Sequence, residues 1–143
     1  MNSDQIQSQI KEGNEIYMKI WLAEQDFTKT RWTITTFFMS VSFAITAYSF
    51  QARPILPEVL GIRIFGMFIY WFAYIMYLHF FQNAKALRTY LINMEKSNQT
   101  NLDLQSWLLK RPKNKQARST SRFLFVLGLT YSIGIVVFFL LGY

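Results

Sequence analysis

Cysteine is missing from all 143 residues, which removes disulfides, thiolate metal ligands, thiol nucleophiles and thioester or thioether lipidation together. There is one histidine. A catalytic zinc wants three protein ligands drawn from His, Cys and carboxylates, so one chain of this composition does not build such a site, and no cofactor is expected. Acids are scarce, with eight Asp and Glu against fifteen Lys and Arg. None falls inside the long apolar runs, where Glu58 stands at one boundary and Glu95 and Asp103 lie well beyond the other. That leaves no paired carboxylates for acid–base work and no intramembrane proton relay. The glycine-rich, zinc and serine-elbow signatures G-x-x-x-x-G-K, G-x-G-x-x-G, H-E-x-x-H and G-x-S-x-G are absent as well. The expectation is that the chain is not an enzyme. Only three prolines interrupt it, so the helices they leave room for are long.

What fills the chain is apolar: 52% of residues are hydrophobic, 18% aromatic and 16% charged. The apolar residues come in blocks, the pattern of a small all-α membrane protein with three transmembrane helices. Residues 32–50 form the first span and residues 60–81 the second, ~22 residues at ~1.5 Å each, enough to cross a ~30 Å hydrocarbon core with some tilt. Residues 123–143 form the third. The first 31 residues carry no apolar signal region and no A-x-A site follows the first run, so the first span is expected to serve as the insertion signal.

Residues 1–31 read as an amphipathic helix. Ile6, Gly13, Ile20 and Phe27 fall seven apart, with Ile10, Ile16, Tyr17 and Ala23 on the same side. Asp4, Glu12, Glu15, Glu24 and Asp26, with Lys11, Lys19 and Lys29, make a solvated outer face, and Gly13 is a weak point of ~1 kcal/mol relative to alanine. The helix packs on its own subunit or bundles between subunits; the heptad spacing fits both.

The first span has two kinds of face. Ile34, Phe37, Phe38, Val41, Ile45 and Tyr48 make a bulky one, expected toward lipid. Thr35, Met39, Ser42, Thr46 and Ser49 follow one small or hydroxylated stripe, and Thr33, Thr36, Ser40, Ala44 and Ala47 the next. Such stripes pack helices closely or wall a wet pore. In the second span Arg63, Gly66, Tyr70, Tyr74, Tyr77 and Phe81 share a face. Arg63 is near enough to the end to snorkel to the interface. His79, on the other side, reads as a packed polar tip.

Past the second span the helix continues as a stalk with Ala84, Leu87, Leu91 and Met94 on one stripe and Lys85, Arg88, Asn93, Glu95 and Lys96 around it. Ser97 to Asn101 break it, and Thr100 with Asp103 opens a short helix, Leu102 to Arg111, stopped by Pro112 and anchored by Trp107. Then Lys110, Arg111, Lys113, Lys115, Arg118 and Arg122 place six cations in thirteen residues with no acid. In the third span Gly128 with Ser132 and Thr130 with Gly134 have small-xxx-small spacing, so close contacts are expected. Residues 82–122, the cytoplasmic extension, short helix and basic loop, hold nine Lys or Arg against two acids. By the positive-inside rule the N-terminus and this segment are cytoplasmic and the C-terminus is outside.

A three-helix chain cannot enclose a pore alone, so the function expected is a homo-oligomeric channel of four or more copies in a lipid bilayer, lined by Thr35, Ser42, Thr46 and Ser49 and flanked by Arg63, with a preference for anions. The alternative is a small non-conducting membrane subunit that scaffolds or regulates a larger complex. Lys110, Arg111, Lys113, Lys115, Arg118 and Arg122, with Lys85 and Arg88 on the stalk, form a basic surface suited to an oligonucleotide or to anionic lipid.

The layout, with the stretch R-W-T-I-T-T-F-F-M-S-V-S-F-A-I from Arg31 to Ile45 and the basic loop, resembles the small membrane effectors of nucleotidyltransferase-linked bacterial anti-phage systems, such as the membrane subunit of the Hailong system. More loosely it is similar to SLATT-type effectors, which have two spans. The resemblance implies an antiviral defence protein of the bacterial inner membrane, oligomerising into a permeabilising channel. It also implies gating by a nucleotide or oligonucleotide signal from a cytoplasmic nucleotidyltransferase.

Overall fold

The structure is a computed structural model that describes residues 3–51, 56–110 and 116–140. It is all-helical, with no strand among the described residues. Helix α1 is Ser3–Gln51, 49 residues without a break. Helix α2 is Leu56–Lys96, 41 residues, with Pro57 and Glu58 in its first turn, where a missing N–H costs nothing and a carboxylate meets the positive end of the helix dipole. Helix α3 is the seven residues Leu104–Lys110, and α4 is Gln116–Leu140. Among the described residues α1, α2 and α4 are long and apolar enough to cross a membrane. α4 begins seven residues before Phe123, so the basic Arg118 and Arg122 are helical.

The chain divides into two compact units. The first comprises Met1–Thr30 and Phe80–Asn114, the second Arg31–His79 and Lys115–Tyr143.

In the first unit, Tyr17 of α1 packs with Leu91 and Met94 of α2, flanked by Ile20, Trp21 and Leu102. The α2 stripe of Ala84, Leu91 and Met94 is buried as its spacing predicts, with Leu87 half-buried. α2 ends in a Schellman motif: Asn98 N–H donates to the Glu95 carbonyl at 3.3 Å and Gln99 N–H to the Met94 carbonyl at 3.2 Å. The motif turns on Asn98 at φ 54°, the left-handed region that asparagine tolerates. It delivers the Gln99 carbonyl against Gly13, where a Cβ would run into the carbonyl oxygen. Gly13 is therefore not the weak point its helix propensity suggests but the place where α1 meets the loop. Asn14, the next residue, accepts through Oδ1 from Thr100 Oγ1 at 2.7 Å and from Asn101 N–H at 3.0 Å.

Two acids expected on the solvated face are inside. Glu24 is 1% exposed and forms an ion pair with Arg88, while its other oxygen accepts from Gln25 Nε2 at 2.9 Å. Arg88 is half-exposed, so replacing it by glutamine is expected to cost the full chain ~1–2 kcal/mol, less than breaking a fully buried pair. The second variant, Glu24→Gln, also removes the buried charge, so a urea titration in detergent should find it the milder of the two.

In the second unit the core is aromatic. Met39, Tyr70, Ala73, Tyr77 and Leu124 are buried together, with Phe38, Tyr74, Leu78, Leu127 and Tyr131 against them. Gly128 lets α4 lie on the Tyr70 ring, where a Cβ would sit 2.6 Å from Cε1. Tyr70 donates its hydroxyl to the Leu124 carbonyl at 2.7 Å, and Trp71 Nε1 donates to Ser132 Oγ at 3.1 Å. The Gly128 and Ser132 spacing thus makes the close contact it predicts within the subunit. Thr130 and Gly134 do not: Thr130 is exposed, and a Cβ on Gly134 would meet open space.

Candidate functional site

Helix α1 presents Thr35, Met39, Ser42, Thr46 and Ser49 every three or four residues, and all five are buried in the second unit. Ser42 Oγ donates to the Gly66 carbonyl at 2.6 Å, and the Tyr131 hydroxyl stands 3.4 Å away. Thr46 Oγ1 bonds the same Tyr131 hydroxyl. Ser49 Oγ donates to the Thr46 carbonyl at 2.6 Å and accepts from Arg63 Nε at 3.2 Å. Arg63 completes the row with its guanidinium 4.4 Å from the centre of the Phe50 ring, a cation–π distance. The helices approach here because Gly66 has no side chain; a Cβ there would lie 2.6 Å from Thr46 Oγ1.

Of the residues expected to line a pore, the structure thus joins Ser42, Thr46, Ser49 and Arg63 in one hydrogen-bonded row inside a single subunit. Thr35 is buried further along, its Oγ1 without a hydrogen-bond partner. Away from water a hydroxyl gains by finding a partner: Ser42 and Thr46 find theirs on facing helices, Ser49 on its own helix and on Arg63. Arg63 does not snorkel: it is 5% exposed. Its neighbours offer a hydroxyl and a π face, which hold a guanidinium more readily than an ammonium because it is more weakly hydrated.

Tyr131 was missed as a site residue. The signal for it is the one phenol among the apolar residues of α4, since a buried tyrosine hydroxyl usually needs a partner. On the other side of α1, Thr33, Thr36, Ser40, Ala44 and Ala47 are all exposed. The Thr36 hydroxyl turns back to the Trp32 carbonyl at 2.7 Å, leaving a narrow, uncharged strip between the exposed rings of Phe37 and Phe43.

In the first unit the polar centre is Glu95. It was expected in solvent, and it is buried. Tyr17 donates its hydroxyl to Oε1 at 2.5 Å, Gln105 N–H donates to Oε1 and Ser106 N–H to Oε2, each at 2.8 Å, and the Ser106 hydroxyl also donates to Oε2. A carboxylate from α2 thus takes two of the unsatisfied N–H groups that open α3. Burial pushes the Glu95 carboxyl up, but the hydrogen bonds from Ser106, Tyr17 and Gln105 outweigh it and hold it below its usual range. Burial first, then the bond to Glu95, push the Tyr17 hydroxyl well above its usual value. Such a pair is a clamp: the phenol stays a donor and the carboxylate stays an acceptor across the neutral range.

The cations expected to hold a polyanion belong to both units: Lys85, Arg88 and Lys110 to the first, Arg118 and Arg122 to the second. Lys85 is exposed, Arg88 is engaged with Glu24, and Arg122 is exposed on α4. Lys110 is the last residue of α3 and Arg118 lies near the start of α4. Arg111, Lys113 and Lys115 lie outside the described residues. Grooves lined by described residues occur in both units. One of about 420 Å³ in the first unit runs past Glu12, Gly13, Ile16, Tyr90 and Met94. Another, of about 430 Å³ in the second unit, is walled by Tyr74, Ser121, Arg122, Phe125 and Val126. Among the described residues no group of three or more His, Cys, Asp or Glu could hold a metal ion.

Set against protein families, curated proteins and solved structures, the chain matches none. The functional reading therefore rests on geometry.

Proposed function

We propose that the chain is one subunit of a homo-oligomeric, channel-like membrane protein, with the second unit in the bilayer and the first in the cytoplasm. The observation that carries this reading is the exposed strip of Thr33, Thr36, Ser40, Ala44 and Ala47. Small and hydroxylated residues offer lipid little contact area but let helices approach closely and hydrogen-bond, each bond contributing ~0.6–2 kcal/mol. The other polar stripe of α1 is consumed inside the subunit. Copies meeting around α1 would bring the exposed strip to their common axis, and the pore role expected of Thr35, Ser42, Thr46, Ser49 and Arg63 passes to it. Since the strip is uncharged and Arg63 is internal, the anion preference expected from an arginine ring does not follow, and a weakly charge-selective pore is the expected form. The likeness in layout to anti-phage effectors supplies the trigger in this proposal: a nucleotide or oligonucleotide signal acting on the cytoplasmic unit, at a bacterial inner membrane.

The test is oligomer size in detergent and conductance in liposomes. Wild-type chain should remain multimeric across a concentration series and pass ions. Thr36→Leu with Ser40→Leu should weaken association at least about tenfold, ~1.4 kcal/mol, shift the chain towards monomer and lower the conductance. Ser42→Ala, which weakens only the subunit interior, should leave oligomer size unchanged. A wild-type chain that is monomeric throughout ends the channel reading.

A further inference from the structure

The groove beside Arg122 has a composition that its surroundings do not explain. Its walls are Tyr74 of α2 and Ser121, Phe125 and Val126 of α4, with Phe125 and Val126 exposed. Ring contacts make it firm: Tyr74 and Phe125 lie 5.9 Å apart, and Trp71 is 5.8 Å from each of them. One end carries the exposed guanidinium of Arg122 and the hydroxyl of Ser121. The other walls are Tyr74, Phe125 and Val126, and the last two lie one turn further along α4 in the stretch Thr120–Phe138, which is long and apolar enough to cross a membrane.

Arg122 is the third residue of that stretch, and an exposed guanidinium at the edge of hydrocarbon is well placed to attract an anion. The second unit offers none nearby. In Arg31–His79 and Lys115–Tyr143 the only acid is Glu58. Glu58 opens α2 sixteen residues before Tyr74, ~24 Å away at ~1.5 Å per residue. The hydroxyl of Ser121 is a second donor at the same end.

From this juxtaposition we propose that the groove is a binding site for an anionic phospholipid, its phosphate on Arg122 and Ser121 and the upper part of an acyl chain against Tyr74, Phe125 and Val126. Arginine suits a phosphate because its fork of donors matches two oxygens. The inference rests on the membrane reading of the second unit but not on the channel. It also assigns Arg122, one of the cations expected to hold an oligonucleotide, to lipid. The apolar walls favour that choice: a nucleic-acid site would need further cations along the groove to follow successive phosphates, and its other lining residues are uncharged.

The test reconstitutes full-length chain in nanodiscs of equimolar phosphatidylcholine and phosphatidylglycerol, extracts it into mild detergent and counts the lipids that remain by native mass spectrometry. Phosphatidylglycerol should be enriched over phosphatidylcholine on the order of tenfold. Arg122→Gln should erase the enrichment, and Arg122→Lys should keep part of it. Filling the groove with Val126→Trp should lower total retained lipid while leaving the cation in place. Equal retention of the two lipids by wild type, or enrichment that survives Arg122→Gln, overturns the proposal. So does release of the lipid by millimolar glycerol phosphate, which would make this a free-phosphate site, or by a short single-stranded oligonucleotide. Failure of the membrane reading would show differently, as chain released from vesicles by alkaline wash and soluble without detergent.

Discussion

Replacing Gly13 by alanine should unfold the first unit, lowering stability by ~3 kcal/mol or more, although alanine is the better helix former by ~1 kcal/mol. The added methyl would occupy space already held by the Gln99 carbonyl oxygen, with the carbonyl carbon 3.0 Å away. Backbone cannot yield as a flexible side chain can. Gln99 is pinned by its N–H to the Met94 carbonyl, and its neighbours Thr100 and Asn101 are tied to Asn14. Limited proteolysis of detergent-solubilised chain reads the effect directly: cleavage between Ser97 and Asp103 should accelerate by two orders of magnitude or more, as expected if opening of the unit tracks the lost ~3 kcal/mol. Alanine at Gly61, where a Cβ meets open space, is the control and should leave the rate unchanged. Slow cleavage of the Gly13→Ala chain would mean the loop is not held as described.

Removing the Glu95 carboxylate should be nearly as damaging. Glu95→Ala strands the Tyr17 hydroxyl and the N–H groups of Gln105 and Ser106, and a buried unsatisfied donor costs ~1–3 kcal/mol, so a loss on the order of 3–4 kcal/mol is expected. Glu95→Gln should fall between, because an amide turns donors of its own toward donors. The same carboxylate gives stability a pH dependence of definite sign. Its folded-state value lies below that of an unfolded glutamate, about 4.3. Its contribution is therefore fully present above that pH and lost as pH falls through the lower folded value. Tyr17 acts at the alkaline end: its hydroxyl is raised, so its contribution holds below about pH 10 and disappears as pH climbs through the folded value. Melting the first unit from pH 3 to 7 should show the acid decline in wild type and a much flatter one in Glu95→Gln. An equal decline in both would place the acid sensitivity elsewhere.

How much of this was legible beforehand depends on what a helical repeat can report. The repeat reveals which residues share a face, and the buried faces of α2, with Tyr70 and Tyr77 in one unit and Ala84, Leu91 and Met94 in the other, follow from it. So does the break after Lys96, because Ser97 to Asn101 favour turns and Asn98 accepts a positive φ. The repeat does not report what a face meets. Glu24 and Glu95 read as solvated because their partners, Arg88 and the start of α3, come from other helices. Gly13 read as a defect because propensity is a property of one helix and a carbonyl arriving from residue 99 is not. The two hydroxyl stripes of α1 were visible as stripes. Which of them turns inward is decided by Tyr131 and Gly66, and neither is marked by any motif.

The row from Arg63 to Tyr131 also bears on the order in which the chain is made. Tyr131 lies 85 residues after Thr46, so in the proposed membrane setting α1 and α2 leave the ribosome and enter the bilayer well before the phenol that completes their polar seam exists. Until α4 arrives, Thr46 faces either hydrocarbon or whatever insertion machinery shelters it. A chain ended after Asn114 should accordingly be held by that machinery or degraded, whereas one carrying Tyr131→Phe should insert on schedule and differ only in how tightly its third helix is kept.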